Sequence, residues 1–95
     1  MSTREKLKFI LEHYGIRKQI IKSFEELAEL QVELAHYLRH AGDKEKIAGE
    51  IADVLCMLEQ IEIGLGIGEQ VRKTRLYKID RQVKRIEESG KAENR

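Results

Sequence analysis

The stretch IRKQIIKSFEELAELQVELAHYLR, residues 16–39, decides the fold. Ile16, Ile20, Phe24, Leu27, Leu34 and Leu38, with Leu30 or Val32 between them, recur at helical and not strand spacing. At about 1.5 Å per residue this helix is roughly 35 Å long. Its polar side is strongly acidic. Glu25 and Glu29 stand four apart, Glu26 and Glu29 three apart, and Glu29 and Glu33 four apart. Each like-charge pair so placed costs a few tenths of a kcal/mol. Lys22, four before Glu26, is the only local relief. A stripe that destabilises its own helix has the character of a binding surface.

Three more helices are predicted around it. Ser2 to His13 opens with an S-x-x-E capping box, Ser2 and Glu5, and carries Leu7, Ile10 and Leu11. Gly15 marks the break before the second helix. Ala41-Gly42-Asp43 ends that helix, with Gly42 as its cap and Asp43 as the next N-cap. Lys44 to Ile63 is the third helix. From Ile47 to Leu58 it is apolar on nearly every side except at Glu50 and Asp53, which predicts burial. Gly64 to Gly68 closes it, without the lysine and hydroxyl ending of a phosphate loop. Glu69 to Glu88 is the fourth helix, with Val71, Leu76, Ile79, Val83 and Ile86 along one stripe and seven Lys or Arg elsewhere. Residues 1–88 form a single domain, and 89–95 a flexible polar tail. An all-α four-helix bundle follows, too small to cover its own apolar faces and therefore expected to self-associate.

The chemistry lies in two acidic signatures, E-E-x-x-E at Glu25, Glu26 and Glu29, and E-x-x-D at Glu50 and Asp53. If the two faces meet, Glu26, Glu29, Glu50 and Asp53 converge as four carboxylates, a set suited to a hard divalent cation such as Mg²⁺. Asp53 has Gly49 and Met57 four residues away and no basic neighbour, so a buried Asp53 needs a metal, a cation from another helix or a partner subunit. The lone Cys56 sits among Val54, Leu55, Met57 and Leu58 and reads as a buried, inert thiol in a reducing compartment. His36 and His40 lack the glutamate of a zinc-binding H-E-x-x-H and suit the negative end of a helix.

A net charge of +1 gives no general attraction to nucleic acid, and the acidic second helix argues against that partner. The start, MSTREKLKF, is too charged for a signal peptide, and no run approaches the ~20 apolar residues of a membrane span. A cytoplasmic protein is expected.

The strings KQIIKSFEELAELQVEL, EIADVLCMLEQI and YKIDRQVKRIEE resemble the MazG-like all-α nucleoside triphosphate pyrophosphatases, over residues 7 to 88. The likeness is to the short single-domain members. It implies a four-helix domain assembling as a homo-dimer or tetramer, and hydrolysis of a nucleoside triphosphate to monophosphate and pyrophosphate with Mg²⁺, Mn²⁺ being an alternative. By the resemblance, Glu26, Glu29, Glu50 and Asp53 are metal ligands and Glu25 is an outer ligand or water-activating base. Lys78 and Arg81 contact substrate phosphates. Gln19 and Lys22 share the acidic stripe and either touch substrate or cap it with a salt bridge. The chain has no tryptophan and few aromatics for stacking on a base. The competing expectations are a nucleotide- and metal-binding module without turnover, and a structural oligomer whose acidic stripe pairs with a neighbour's basic fourth helix.

Overall fold

The computed structural model describes residues 1–93, with side chains through residue 90. Its elements are four helices: α1 (Thr3–Tyr14), α2 (Ile16–Leu38), α3 (Lys44–Leu65) and α4 (Gly68–Glu93). No strand occurs among the described residues. The capping box forms in full: the Ser2 hydroxyl accepts from the Glu5 amide at 3.0 Å, and the Glu5 carboxylate accepts from the Ser2 amide at 3.0 Å. Asp43 Oδ1 likewise caps α3, accepting from the Glu45 amide at 2.8 Å.

Three predicted ends move. Gly15 turns the corner from α1 into α2 with φ 91°, a conformation that a Cβ would penalise. At the far end of α2 the left-handed residue is His40, φ 61°, not Gly42. Gly42 serves another need: its Cα lies against the backbone of Tyr37, where a Cβ has no room. Gly64 does not end α3. The helix runs on to Leu65 and closes at Gly66, whose amide donates to the carbonyls of Glu62 and Ile63. Within α3, Gly64 lets the Ile16 side chain come close. α4 continues through Glu93 instead of stopping at Glu88, so most of the predicted tail is helix, and Asn94 and Arg95 lie outside the described residues.

α2 and α3 run antiparallel and form the main packed pair, with α1 laid against both. Their register is pinned by a buried polar contact: Gln19 Nε2 donates to Gln60 Oε1 at 2.8 Å, and Gln60 Nε2 donates to the Cys56 carbonyl at 3.2 Å. Leu7, Leu11, Val54 and Met57 complete the core. Ser23, also buried, satisfies its hydroxyl on the Ile20 carbonyl at 2.6 Å.

The expected burial of α3 does not occur within one chain. Ile51, Leu55 and Leu58 are exposed, and so is Cys56, which was expected inside. The reason is the placement of α4. It touches α3 and neither α1 nor α2 among the described residues, and every position from Glu69 to Ser89 is exposed. The radius of gyration is accordingly 17.5 Å, against about 12 Å for a compact domain of this length. The chain exposes 7958 Å² at a mass of 11.1 kDa, roughly 2,300 Å² more than a compact monomer of that mass.

Candidate functional site

From the Gln19–Gln60 contact, two turns forward along α2 reach Glu26, and two turns back along α3 reach Asp53. One further turn on each helix brings Glu29 to Glu50. The antiparallel register thus sets the two acidic signatures opposite one another. Carboxylate oxygens of Glu26, Glu29 and Glu50 all lie within 4.8 Å of one another. Asp53 is next to this group and not one of it. Its charge acts on Glu26, yet the residue is exposed, so the expected cost of a buried lone aspartate does not arise.

The electrostatics are those of an unneutralised cluster. Glu26 has a side chain only 12% exposed, and its carboxyl is pushed above the ordinary 4.5 by desolvation, then by Glu29 and Asp53. Glu29 is pushed in the same direction by desolvation, then by the charge of Glu50. Glu26 Oε2 and Glu50 Oε2 are buried and meet no hydrogen-bond donor among the described residues. Oxygens so placed cost free energy until something positive or protonated satisfies them.

Lys22 reaches only the near edge, 3.0 Å from Glu25 and 3.6 Å from Glu26. These are ion pairs of the kind expected of a cap on the acidic surface. Among the described residues no basic side chain bridges Glu29, Glu50 or Asp53. Gln19 is buried, with its amide donating to Gln60. Glu25, Glu29, Glu33 and Glu50, with Ala28 and Val32, line a shallow depression of about 260 Å³. Glu33 was not among the sequence candidates, although its spacing from Glu29 signalled it. His36 Nδ1 lies 3.8 Å from Glu33 Oε1 at this rim.

The two expected phosphate contacts are not brought to the cluster within one chain. Lys78 and Arg81 are on α4, which does not meet α2. Lys78 lies along an apolar strip of α4 with Val71, Arg75, Ile79 and Gln82, while the Arg81 guanidinium sits 5.6 Å from the Tyr77 ring centre. No helix among the described residues is long and apolar enough to cross a membrane. Comparison with protein-family models, with curated proteins and with solved structures returns no match.

Proposed function

We propose that this chain is a cytoplasmic Mg²⁺-dependent nucleoside triphosphate pyrophosphohydrolase of the MazG-like kind, active as a homo-dimer or tetramer. It cleaves a (d)NTP to (d)NMP and pyrophosphate. The observation that carries this reading is the set of three carboxylates from two helices, gathered within 4.8 Å, with two buried oxygens that meet no donor among the described residues. The donors are all oxygen, which suits Mg²⁺ or Mn²⁺ and not a metal that prefers nitrogen or sulfur.

Glu26, Glu29 and Glu50 would hold the cation, with Asp53 beside them. Bound there, Mg²⁺ supplies positive charge and Lewis acidity toward the phosphate oxygens. The protein's own groups divide the rest. Glu25, at the exposed edge and tethered by Lys22, orients the attacking water and accepts its proton. Lys78 and Arg81, which a single chain keeps away from the cluster, would neutralise the departing pyrophosphate from another copy in the oligomer, as charge-assisted hydrogen bonds are about twice as strong as neutral ones.

The test is a panel of NTPs and dNTPs with Mg²⁺ or Mn²⁺, assayed separately for pyrophosphate and orthophosphate. Pyrophosphate from at least one nucleotide is expected, abolished by EDTA and by Asp53→Asn. Orthophosphate alone, or no product from any nucleotide, overturns the reading.

A further inference from the structure

We infer that α4 is an assembly helix: it packs parallel against the α4 of further copies of this chain and closes a four-stranded coiled coil through Leu76, Ile79, Val83 and Ile86. Assembly through this seam goes beyond the proposed activity and does not depend on it.

α4 leaves the bundle bare. Leu76, Ile79, Val83 and Ile86 are 56%, 44%, 49% and 63% exposed. They are spaced three, four and three apart, so they fall alternately at the a and d positions of a heptad and form one continuous seam. Val71 lies off this seam, and Arg72 and Gly90 close it at its two ends. A seam of two heptads is shorter than the about three to four of a self-standing coiled coil. It therefore joins copies that the apolar α2–α3 face already gathers. The roughly 2,300 Å² of surplus surface per chain is enough for contacts of both kinds.

Charge names the occupant. α4 has eight Lys and Arg against five Asp and Glu, yet the excess does not lie along the seam. The e positions beside it hold Lys73, Asp80 and Glu87, and the g positions hold Arg75, Gln82 and Ser89, two cations against two anions. In parallel strands each g position meets the following e position of its neighbour. Arg75 then faces Asp80 of the next copy, and Gln82 faces Glu87. In antiparallel strands e faces e, which sets Asp80 against Asp80, so the charges favour the parallel arrangement. The core agrees: Leu76 at a with Ile79 and Ile86 at d favours more than two strands, and four is the size open to a pair of dimers. Lys78, Arg81, Lys84 and Arg85 fall on the outer side of the helix, clear of the seam and free to meet phosphate. A lipid surface is the poorer occupant, because Asp80 and Glu87 border the apolar line where an anionic membrane repels them.

The test uses the full chain and sedimentation across a concentration series. Wild type is expected to reach four chains. Arg75→Glu and Asp80→Arg each set like charges across the seam, and each is expected to move the four-chain species to at least about tenfold higher concentration. Arg75→Glu/Asp80→Arg restores opposite charges and is expected to return to the wild-type concentration. Ile79→Asp, on a helix that touches only α3, is expected to abolish the four-chain species with helical content unchanged by circular dichroism. Orientation is read in Cys56→Ser/Ser89→Cys with a bismaleimide of about 10 Å reach, the spacing of neighbouring helices. Parallel strands link chain to chain, whereas antiparallel strands hold the two sites about 20 Å or more apart. Four chains that persist in Ile79→Asp, a double swap as weak as the single ones, or no cross-link overturns the inference. So does wild type that stays below four chains, or that pellets as single chains with phosphatidylserine vesicles. None of these readouts needs turnover, so they stand even if the pyrophosphatase reading falls.

Discussion

Gln19 and Gln60 meet across α2 and α3 at 2.8 Å, both buried, and that contact sets the register in which Glu26 faces Asp53 and Glu29 faces Glu50. The polar pin and the acidic site are one construction, since a slip of a single turn on either helix separates the carboxylates by about 5 Å.

Replacing one glutamine alone leaves the other amide buried and unsatisfied. Gln19→Leu is expected to cost about 1–3 kcal/mol, and Gln19→Leu/Gln60→Leu much less, because two apolar partners leave no orphan. Urea unfolding at a single protein concentration measures both. Equal losses in the single and double variants would show that the amide pair has no structural role.

The raised carboxyls of Glu26 and Glu29 make stability depend on pH in a definite sense. A carboxyl whose folded pKa lies above the unfolded value binds its proton more tightly when folded. Its contribution is complete below about pH 4.5 and is lost as pH rises through the folded value. Metal-free protein should therefore lose stability on going upward from pH 4.5 through that window. Added Mg²⁺ should raise Tm at neutral pH and have little effect near pH 4.5, where protons compete. At a hundredfold excess over Kd the gain at neutral pH is about 2.7 kcal/mol. A Tm indifferent to Mg²⁺ at neutral pH would remove the metal site.

Glu29→Gln takes one charge out of the cluster. Metal-free Tm is expected to rise, since the like-charge contact with Glu50 is relieved. Pyrophosphate release is expected to fall by more than the ~10–100-fold that follows loss of an outer-shell group. Calorimetry with EDTA, together with the pyrophosphate assay, reads the two opposite effects. A fall in both would assign Glu29 a merely structural place.

Leu55 is 59% exposed in the single chain. Were it truly on a free surface, Leu55→Glu would alter stability by no more than about 0.5 kcal/mol. Under an assembled α2–α3 face it should instead cost several times that, and convert the sedimenting species from oligomer to monomer. Analytical ultracentrifugation across a concentration series decides between these.

Gly42→Ala would drive a Cβ into the Tyr37 backbone. Overpacking of this kind costs about 1–3 kcal/mol. Gly64→Ala meets side chains and no backbone, Ile16 Cδ1 at 2.6 Å and Cγ1 at 3.3 Å and Leu11 Cδ2 at 3.4 Å, and the Ile16 end can rotate, so its cost should be the smaller. Thermal melts of the two variants compare them directly.

The helices were legible because their signals are local. The Ser2–Glu5 box, the Asp43 cap and the apolar period of residues 16–39 involve partners within a few positions, and each forms where it was expected. That Glu26 and Glu29 share one face of α2 was legible for a related reason, since i+3 spacing sets it before any packing is known, whereas their meeting with Glu50 of α3 depended on the register of the two helices. The burial of α3 was misread at Cys56, Leu55 and Asp53, because whether an apolar helix is covered depends on where α4 goes, and nothing local to α3 encodes that. Sequence alone thus determined the four helices, to within a few residues at their ends, and which carboxylates share a helical face, all set by neighbours a turn or two away. Only the tertiary structure decided the antiparallel register pinned by Gln19 and Gln60, the projection of α4 and its basic residues away from the acidic cluster, and the apolar faces left bare, because these depend on contacts between residues far apart in the chain.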